Sequence, residues 1–353
     1  MKYTDDYWKD IDRVIECIPH INRLFEKKIL ITGATGMICS SVTEVLFRLN
    51  ETRNADIEIY LAGRDQGKMR NRFSALGIIN KYNFVDYDAT TNRLVDVNVD
   101  YIIHGASNAN PQIYTKEPVE TMLSNIVGLN NLLKTAISCK ADRVLFISSS
   151  EVYGNKHEEY AFRETDYKFV DILNPRACYP SAKRAAETLC VSYEDEYNVD
   201  TVIVRPGHIY GPTIRRIDSR ASAQFTWNVI DGKDILLKSD GAQIRSYCYT
   251  LDCASAILAV LINGEKGNAY NIANKHSNVS IRDMAELLAK YSGKKIHFEN
   301  PSDAEKRGYN LMPNSALDSE KIEALGWKAC FNLEDGVQRT IKFLKEDCHD
   351  STK

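Results

Sequence analysis

The sequence predicts an α/β protein built on a doubly wound parallel sheet, with a smaller lobe at its C-terminal end. From Lys28 onward, apolar runs of strand length alternate with helix-length segments. A strand covered by helices on both faces is apolar throughout, because neither of its faces meets solvent. The chain has 353 residues, 44% of them hydrophobic, which is enough for one large domain or two closely joined ones.

The first 27 residues precede this alternation and are predicted to be a helical extension, residues 1–27. Their apolar residues recur at roughly helical spacing, so one helix face would pack on the body of the protein or on a partner subunit. These residues are Trp8, Ile11, Val14, Ile15, Ile18 and Ile21.

Six strands are predicted next, with helices in the gaps between them. The strand sequences are KILITG, IEIYLAG, NFVDYD, DYIIHGAS, RVLFISSS and DTVIVRPG. The helix sequences are SSVTEVLFRLN, ETMLSNIVGLNNLLKTAISC and SAKRAAETLCVSYEDEY. Because parallel neighbours need a crossover connection, this order favours a parallel sheet.

After Gly211 and Pro212 the pattern becomes less regular, although SIRDMAELLAKYSG and LEDGVQRTIKFLKE still predict helices. We therefore predict a sheet domain and a substrate lobe, each made of two segments. The sheet domain comprises residues 28–205 and about 248–275, the lobe 206–247 and 276–345, and the tail 346–353.

Composition argues against several classes of partner. The net charge of −3 predicts neither a nucleic-acid nor a membrane partner, and no apolar run reaches the roughly 18 residues of a membrane span. The N-terminus has no signal-peptide core. Nine cysteines without CxxC pairs or His–Cys clusters predict no metal site and favour reduced, buried thiols, hence a cytoplasmic protein.

A glycine turn follows the first predicted strand. Gly33 and Gly36 stand between that strand and the next helix, where backbone N–H groups and the helix dipole can meet a pyrophosphate. The third position of the expected GxxGxxG pattern is Cys39, and a small residue can be tolerated there. In the context of an alternating α/β pattern the turn predicts dinucleotide binding, and the fold is then of the Rossmann type.

The second strand leaves the choice of dinucleotide open. An acidic residue at its end would bind a ribose 2′-hydroxyl, but Ala62 stands where that acid is expected. Arg64 could instead accept the 2′-phosphate of NADP, unless Asp65 neutralises it or it is simply a solvated loop residue. The predicted cofactor is therefore NAD(P).

Tyr179 and Lys183 are four residues apart at the start of a predicted helix, so their side chains project from one face. A neighbouring ammonium favours the phenolate and is expected to lower the tyrosine pKa toward that of a general base. Ser149, at the end of the strand RVLFISSS, supplies a third polar group.

At these residues the chain resembles the extended short-chain dehydrogenase/reductase family, in its group of nucleotide-sugar epimerases, dehydratases and decarboxylases. The resemblance extends from Lys28 to about Lys345. It rests on TGATGMIC, IIHGAS, SNIVGLNNLL, SSSEVYG, YPSAK, RPGHIYGP and IRSYCYTLD.

The resemblance implies roles for individual residues. Ser149 would be the catalytic hydroxyl, Tyr179 the base, and Lys183 its partner and a ligand of the nicotinamide ribose. The implied cofactor contacts, with Arg64 added, are Gly33, Thr35, Gly36, Met37, Ile38, Arg64, Asp88, Ala89, Ala106, Ser107, Asn125, Tyr179, Lys183 and Pro206. The candidate substrate contacts are Ser150, His208, Arg215 and Arg245, the last as a clamp for the diphosphate.

In such enzymes the sugar is first oxidised at C4 by a tightly held cofactor that is regenerated in each cycle. Three fates then compete: return of the hydride after the ketosugar turns over, loss of water from C5 and C6, or loss of CO2 from a glucuronate. These are the reactions of a 4-epimerase, a 4,6-dehydratase and a decarboxylase.

Glu151 is a further candidate catalytic residue, directed at C5 of the sugar, and it favours chemistry beyond plain epimerisation. Deoxythymidine-diphosphate-glucose dehydratases resemble TDEVYG, with an Asp–Glu pair, whereas Ser150 stands in place of the acid here. SSSEVYG and PRACYPSAKR are most similar to UDP-glucuronate decarboxylases, while GDP-mannose 4,6-dehydratases also resemble the first motif. The structural alternative for Glu151 is a strand-end acid that accepts backbone hydrogen bonds.

His208 departs from the family pattern, which has an asparagine in RxxNxYGP. It could donate to a sugar hydroxyl, titrate near neutral pH or be a packed histidine. The resulting prediction is a UDP-glucuronate decarboxylase-like homodimer, joined through the helices at 117–139 and 180–197. Alternatives are a 4-epimerase or 4,6-dehydratase, a catalytically silent sugar-nucleotide-binding protein, and a ketoreductase on a substrate without a nucleotide.

Overall fold

A computed structural model describes residues 3–77, 81–156, 159–301 and 312–350. The strands are β1 (Lys28–Thr32), β2 (Glu58–Gly63), β3 (Asn83–Asp86), β4 (Tyr101–His104), β5 (Arg143–Ile147), β6 (Thr201–Pro206), β7 (His208–Tyr210), β8 (Ile235–Leu237), β9 (Ile244–Tyr249), β10 (Ala269–Ile272), β11 (Asn278–Ser280), β12 (Ile296–Phe298) and β13 (Asn314–Ser315).

The helices are α1 (Asp5–Glu16), α2 (Met37–Arg53), α3 (Gln66–Phe73), α4 (Pro111–Lys116), α5 (Pro118–Cys139), α6 (Cys178–Tyr197), α7 (Ala221–Ile230), α8 (Thr250–Asn263), α9 (Ile281–Ser292), α10 (Glu320–Glu323) and α11 (Leu333–Asp350).

Seven parallel strands form the central sheet in the order β10-β6-β5-β4-β1-β2-β3. This confirms the predicted doubly wound α/β fold. The chain leaves β1 toward β2 and β3, then returns to place β4 on the other side of β1. At that reversal the loops after β1 and β4 diverge to opposite faces of the sheet, and such folds bind ligands in the crevice between them.

A smaller set of strands is built around β9, which pairs with β7, β11 and β13. The link between β6 and β7 passes close to β9, because a Cβ added at Gly207 would lie 2.6 Å from the carbonyl oxygen of Ser246. β9 then leads directly into α8, which packs against the large sheet. The strands around β9 are thus held against the C-terminal end of β6.

The N-terminal extension packs on the body of the protein. α1 lies against α2 and α8, and Tyr7 is fully buried with its hydroxyl donating to Glu44 Oε2 at 2.6 Å. The sequence left open whether this extension packs on the body of the protein or on a partner subunit. In the structure, α1 packs on the body of its own chain. Among the described residues, no helix is long and apolar enough to cross a membrane.

The cysteines correct one prediction. Cys39, Cys178, Cys190, Cys248 and Cys253 are free and buried, as expected, but Cys17 and Cys330 form a disulfide. The expectation of nine reduced thiols was therefore wrong. The two partners are 313 residues apart and meet only because α1 packs beside the segment that precedes α11, a contact with no local sequence signal.

Candidate active site

The glycine turn lies at the reversal of the strand order. Gly33 has φ +71°, and a Cβ there would lie 2.7 Å from the carbonyl oxygen of Gly105, which follows β4. Gly36 is the N-cap of α2, whose first N–H groups have no partner within the helix. The backbone thus forms a cradle that only glycine allows, beside an anion-binding helix terminus. This geometry fits the pyrophosphate of a dinucleotide.

A cavity of about 290 Å³ opens from this cradle. Its lining includes eight of the residues predicted to contact the cofactor: Gly33, Gly36, Met37, Ile38, Ser107, Tyr179, Lys183 and Pro206. Six other predicted contacts lie outside that lining: Thr35, Arg64, Asp88, Ala89, Ala106 and Asn125.

Asn125 supports the cavity from behind. Its side chain is fully buried, and Nδ2 donates to Ser107 Oγ at 2.9 Å and to the carbonyl oxygen of Thr121 at 2.7 Å. Ala106 is held similarly, because its N–H donates to Thr32 Oγ1 at 3.2 Å. Both residues shape the cavity through their neighbours.

Arg64 and Asp88 are close enough to interact electrostatically at the ends of β2 and β3. Burial acts to raise the pKa of Asp88, but hydrogen bonds from Thr90 and the charge of Arg64 together lower it. Asp65 accepts a hydrogen bond from the N–H of Lys68 at 2.9 Å and thereby caps α3. Asp88 is therefore a carboxylate, and Arg64 is exposed beside it.

Ser149, Tyr179 and Lys183 are brought together on the wall of the same cavity. Lys183 Nζ donates to the carbonyl oxygen of Ile147, the last residue of β5, at 2.7 Å. Burial lowers the pKa of Lys183 to about 7, while Glu187 acts in the opposite direction. The ammonium is thus held at a fixed point and can titrate near neutral pH.

The expected lowering of the Tyr179 pKa by Lys183 was wrong. The pKa of Tyr179 is raised to about 12, first by burial and second by the charge of Glu151. A hydrogen bond with Ser149 and the charges of Arg220 and Arg176 act in the opposite direction. The cost of burying a phenolate exceeds these favourable contributions.

Glu151 forms an ion pair with Arg176, a residue to which the sequence assigned no role. Arg176 Nη1 and Nη2 donate to Oε2 and Oε1 of Glu151 at 2.9 and 3.1 Å, and both side chains are largely buried. The carboxylate of Glu151 is thus paired with a guanidinium, and within the described part of the chain it accepts no backbone hydrogen bond of the kind expected for a strand-end structural acid.

A second cavity, of about 580 Å³, adjoins the first. Four residues line both cavities and so mark the boundary between them: Ala109, Glu151, His208 and Arg220. Arg245 lines the larger cavity, whereas Arg215 and Ser150 line the smaller one. The four predicted substrate contacts are thus divided between two connected spaces.

Arg245 is 3% exposed, and its Nη1 donates to the carbonyl oxygens of Ile244 and Met312 at 2.8 and 2.9 Å. Burial lowers the pKa of this guanidinium. Backbone carbonyls orient the side chain, and no carboxylate of the described residues forms an ion pair with it, which suits an anionic ligand in the larger cavity.

His208 does not titrate near neutral pH, which excludes one of its three predicted roles. Burial lowers its pKa well below the usual value, and the charges of Arg245 and Arg220 lower it further. The ring is neutral, and its Nδ1 is buried without a hydrogen-bond partner among the described residues. A neutral imidazole on the boundary between the cavities can donate or accept a hydrogen bond.

Sequence reasoning missed Arg176, Arg220 and Tyr114. Arg176 lies three residues before Tyr179, in the PRACY segment already singled out. Arg220 also lies beside the site. Its Nε donates a hydrogen bond to Asp218 Oδ1 at 3.0 Å. Tyr114 is on the short helix α4 and lines the larger cavity, in a segment with no recognised motif.

Comparisons with known proteins identify the family to which the chain belongs. The model of the NAD-dependent epimerase/dehydratase family matches residues 29–273. The chain is 29% identical to UDP-glucuronic acid decarboxylase 1 of Xenopus tropicalis over 325 residues, which cover 91% of this chain and 73% of that protein. It is 26% identical to the dTDP-D-glucose 4,6-dehydratase of Mus musculus, over 92% of this chain and 90% of that protein.

Solved structures show the same fold. The UDP-glucuronic acid 4-epimerase of Bacillus cereus, in complex with UDP-glucuronic acid and NAD, superposes with a TM-score of 0.75 at 24% identity. That match covers 90% of this chain and 99% of the other. The family match spans the glycine cradle and all three polar residues of the cavity wall, so this protein is an enzyme of the NAD-dependent epimerase/dehydratase family.

Proposed function

We propose that the protein is a UDP-glucuronate decarboxylase that uses tightly held NAD. The observation that carries the proposal is the Glu151–Arg176 pair at the boundary of the two cavities. The guanidinium compensates the carboxylate, which lets an anionic sugar approach Glu151 without facing an unpaired like charge. Support also comes from SSSEVYG and PRACYPSAKR, which resemble the motifs of such decarboxylases.

The cofactor, when bound in the cavity beside the glycine cradle, would accept a hydride from C4 of the sugar and later return it. Tyr179 would take the proton of the C4 hydroxyl, with Ser149 hydrogen-bonded to the same phenol. Lys183, fixed on the carbonyl oxygen of Ile147, would support the phenolate by its charge.

The resulting 4-keto group makes the C5 carboxylate a β-keto acid. When the bond between C5 and C6 breaks, CO2 leaves and the electron pair passes to the C4 oxygen as an enolate. Tyr179 and Ser149 would hydrogen-bond this oxygen, and a proton must then be delivered to C5. Decarboxylation needs no acid for a leaving hydroxyl, which agrees with Ser150 in place of the dehydratase aspartate.

Arg245 would bind the diphosphate, because it is a buried cation that donates hydrogen bonds to the backbone carbonyls of Ile244 and Met312. Arg215 lies in the wall of the smaller cavity and Arg220 on the boundary, where they would meet further anionic or hydroxyl groups. We propose NAD because the Asp88 carboxylate interacts with the charge of Arg64, which opposes the use of that guanidinium for a 2′-phosphate.

The test is incubation of the purified protein with a panel of UDP-, GDP-, CDP- and dTDP-sugars, followed by mass spectrometry. UDP-glucuronate should lose CO2, and Tyr179→Phe should lose about 10²-fold or more of this activity while its thermal unfolding is unchanged. Unchanged turnover in that variant would contradict the mechanism.

Other results of the same panel would replace the assignment. Loss of water from a nucleotide hexose would identify a 4,6-dehydratase, and unchanged mass with altered retention would identify a 4-epimerase. Stoichiometric consumption of added NADPH would indicate a ketoreductase. Binding without any turnover would indicate a silent sugar-nucleotide-binding protein.

We also propose a homodimer joined through α5 and α6. These helices pack on each other and still expose apolar side chains. Those side chains are Val119, Met122, Leu123, Ile137, Val191 and Tyr197. Sedimentation should show a dimer that Met122→Glu dissociates; a monomeric native protein would contradict this.

A further inference from the structure

The N-terminal extension contacts a buried carboxylate on α2, the helix that begins at the glycine cradle. Glu44 lies two turns into α2 and is fully buried. Tyr7 of α1 donates to its Oε2 at 2.6 Å, and Tyr3, just before α1, donates to its Oε1 at 2.7 Å. Burial and the charge of Glu44 raise the pKa of both phenols, so their hydroxyls remain protonated and able to donate. Both carboxylate oxygens are thus held by residues outside the family match, which begins at residue 29.

Arg72 connects the same carboxylate to α3. Its Nη2 donates to Glu44 Oε1 at 2.7 Å and to Ser40 Oγ at 2.8 Å. Its Nη1 donates to the hydroxyl oxygen of Tyr3 at 2.7 Å. Ser40 lies in the first turn of α2, so this guanidinium reaches the end of the helix that begins at the cradle. Five side chains from three segments of the chain share these contacts, and we call them the Glu44 cluster: Tyr3, Tyr7, Ser40, Glu44 and Arg72.

The two helices that the cluster joins begin on the two loops expected to hold the cofactor. α2 follows Gly36 at the end of the cradle, and α3 follows its N-cap Asp65, directly after Arg64. In a doubly wound sheet the first of these loops meets the pyrophosphate and the end of the second strand meets the ribose. Further along, Phe47 of α2 and Phe73 of α3 pack edge to face with centroids 6.2 Å apart. The separation of the two loops therefore depends on how α2 and α3 are held together.

The hydroxyls of the extension keep the link between α2 and α3 in a single geometry. A buried carboxylate must have its oxygens hydrogen-bonded and its charge paired. If the hydroxyl of Tyr7 is removed, Glu44 Oε2 loses its donor, and the carboxylate is stabilised by moving toward water or toward another donor. Arg72 follows the carboxylate that it pairs with, and its hydrogen bond to Ser40 is then weakened.

We propose that the N-terminal extension positions the two cofactor-binding helices through the Glu44 cluster and thereby slows the release of NAD. Tyr7, Glu44 and Arg72 are positioning residues, since none of them lines either cavity. The inference goes beyond the proposed decarboxylation, because it concerns the cofactor and requires no particular sugar.

The test is the exchange of bound NAD for isotopically labelled NAD, with the protein-bound dinucleotide analysed by mass spectrometry. Tyr7→Phe keeps the ring and removes only the hydroxyl, so exchange should be roughly two- to tenfold faster than in the wild type. Arg72→Lys keeps the charge but cannot bridge the same three acceptors, and its exchange should also be faster. An unchanged rate in Tyr7→Phe would overturn the role of the extension, and an unchanged rate in Arg72→Lys would overturn the link to α3.

Two controls separate this role from a general loss of stability. Tyr270→Phe removes another buried hydroxyl, which accepts a hydrogen bond from the N–H of Glu265 at 2.8 Å on the edge strand β10. Arg48→Lys weakens a different contact between α1 and α2, because Arg48 donates two hydrogen bonds of 2.7 Å to Asp12. Both controls should unfold at a lower temperature and keep the wild-type rate of NAD exchange. Acceleration in either control equal to that in Tyr7→Phe would overturn the proposal.

Turnover provides a second readout. The Glu44 cluster contains none of the residues proposed to reach the sugar, so Tyr7→Phe should show wild-type kcat when NAD is added in excess. A loss of kcat that excess NAD does not restore would overturn the assignment to cofactor retention. The exchange experiment uses no nucleotide sugar, so its result is independent of whether the decarboxylase assignment is correct.

Discussion

Tyr179 illustrates how one residue depends on its immediate surroundings. Its pKa of about 12 reflects burial first and the nearby Glu151 carboxylate second, against a hydrogen bond with Ser149 and two guanidinium groups. Lys183 and Tyr114 are also within reach of its ring, at 5.8 and 5.2 Å. The base is therefore tuned by a set of charges, among which Glu151 is the carboxylate that opposes ionisation.

The pH dependence of C4 oxidation should change when this carboxylate is neutralised. In Glu151→Gln a negative charge beside the phenol is lost, and Arg176 loses the partner that offset its positive charge. Both changes stabilise the phenolate, so the pKa of Tyr179 falls and the acidic limb of the pH profile moves to lower pH.

The measurement is cofactor reduction, followed by its near-ultraviolet absorbance, when UDP-glucuronate is mixed with the wild-type and variant proteins across the pH range. This step precedes CO2 loss, so the profile can be recorded even if Glu151→Gln blocks later chemistry. A limb that stays in place, or moves to higher pH, would contradict the electrostatic account.

At the scale of elements, the glycine turn between β1 and α2 depends on two loops that meet. Gly33 requires the left-handed region, and its α-carbon faces the Gly105 carbonyl after β4. A side chain there would meet backbone, which cannot rotate away as a flexible side chain can. The turn is thus constrained both locally and by the neighbouring strand.

Gly33→Ala should therefore lose bound NAD and destabilise the protein by more than the left-handed conformation alone would cost. Gly232→Ala is the control: its φ is +76°, and within the described chain no atom lies near the added Cβ. That control should cost about 1 kcal/mol and keep its cofactor. Urea unfolding and the NAD content of the purified proteins distinguish the two variants, and similar losses in both would contradict the steric account.

At the scale of the whole molecule, the N-terminal extension and the segment before α11 both pack on α8. Asp252 on this helix accepts hydrogen bonds from the N–H groups of Cys330 and Phe331 at 2.7 and 3.1 Å. Arg13 of α1 lies 4.6 Å from the ring of Phe331, and the Cys17–Cys330 disulfide adds a covalent link. The N-terminal extension and the segment before α11 thereby form one unit with the sheet domain.

Asp252 should make this unit less stable as the pH rises. Burial raises its pKa from 3.8 to about 7 in the folded protein despite the two hydrogen bonds. Between these values the folded state binds more protons than the unfolded state, so the contribution of this group to stability is full near pH 4 and is lost toward pH 7.

Asp252→Asn should reduce this fall in the free energy of unfolding, measured by urea denaturation at several values between pH 4.5 and 7.5. Each unit of difference between the folded-state and unfolded-state pKa values of Asp252 corresponds to about 1.4 kcal/mol in the free energy of unfolding. Asp96→Asn, at an exposed position, is the control and should keep the wild-type slope. An unchanged slope in Asp252→Asn would contradict the assignment.

Much of the fold followed from local patterns. Six predicted strands belong to the central sheet, because buried parallel strands are apolar along their whole length. The seventh strand, β10, was not singled out, since its four residues lie in the irregular C-terminal part of the chain. Several lobe strands have only two or three residues, too few to show a period.

The sequence by itself determined the α/β fold, the glycine turn, and the presence of Ser149, Tyr179 and Lys183 in one site, because each depends on spacing along an element or on the end of a strand. The tertiary structure decided which charges meet. Glu151 and Arg176 are 25 residues apart, and Tyr114 reaches Tyr179 from another helix. Such contacts, and the burial that reverses the expected pKa shift of Tyr179, arise only when distant segments pack together.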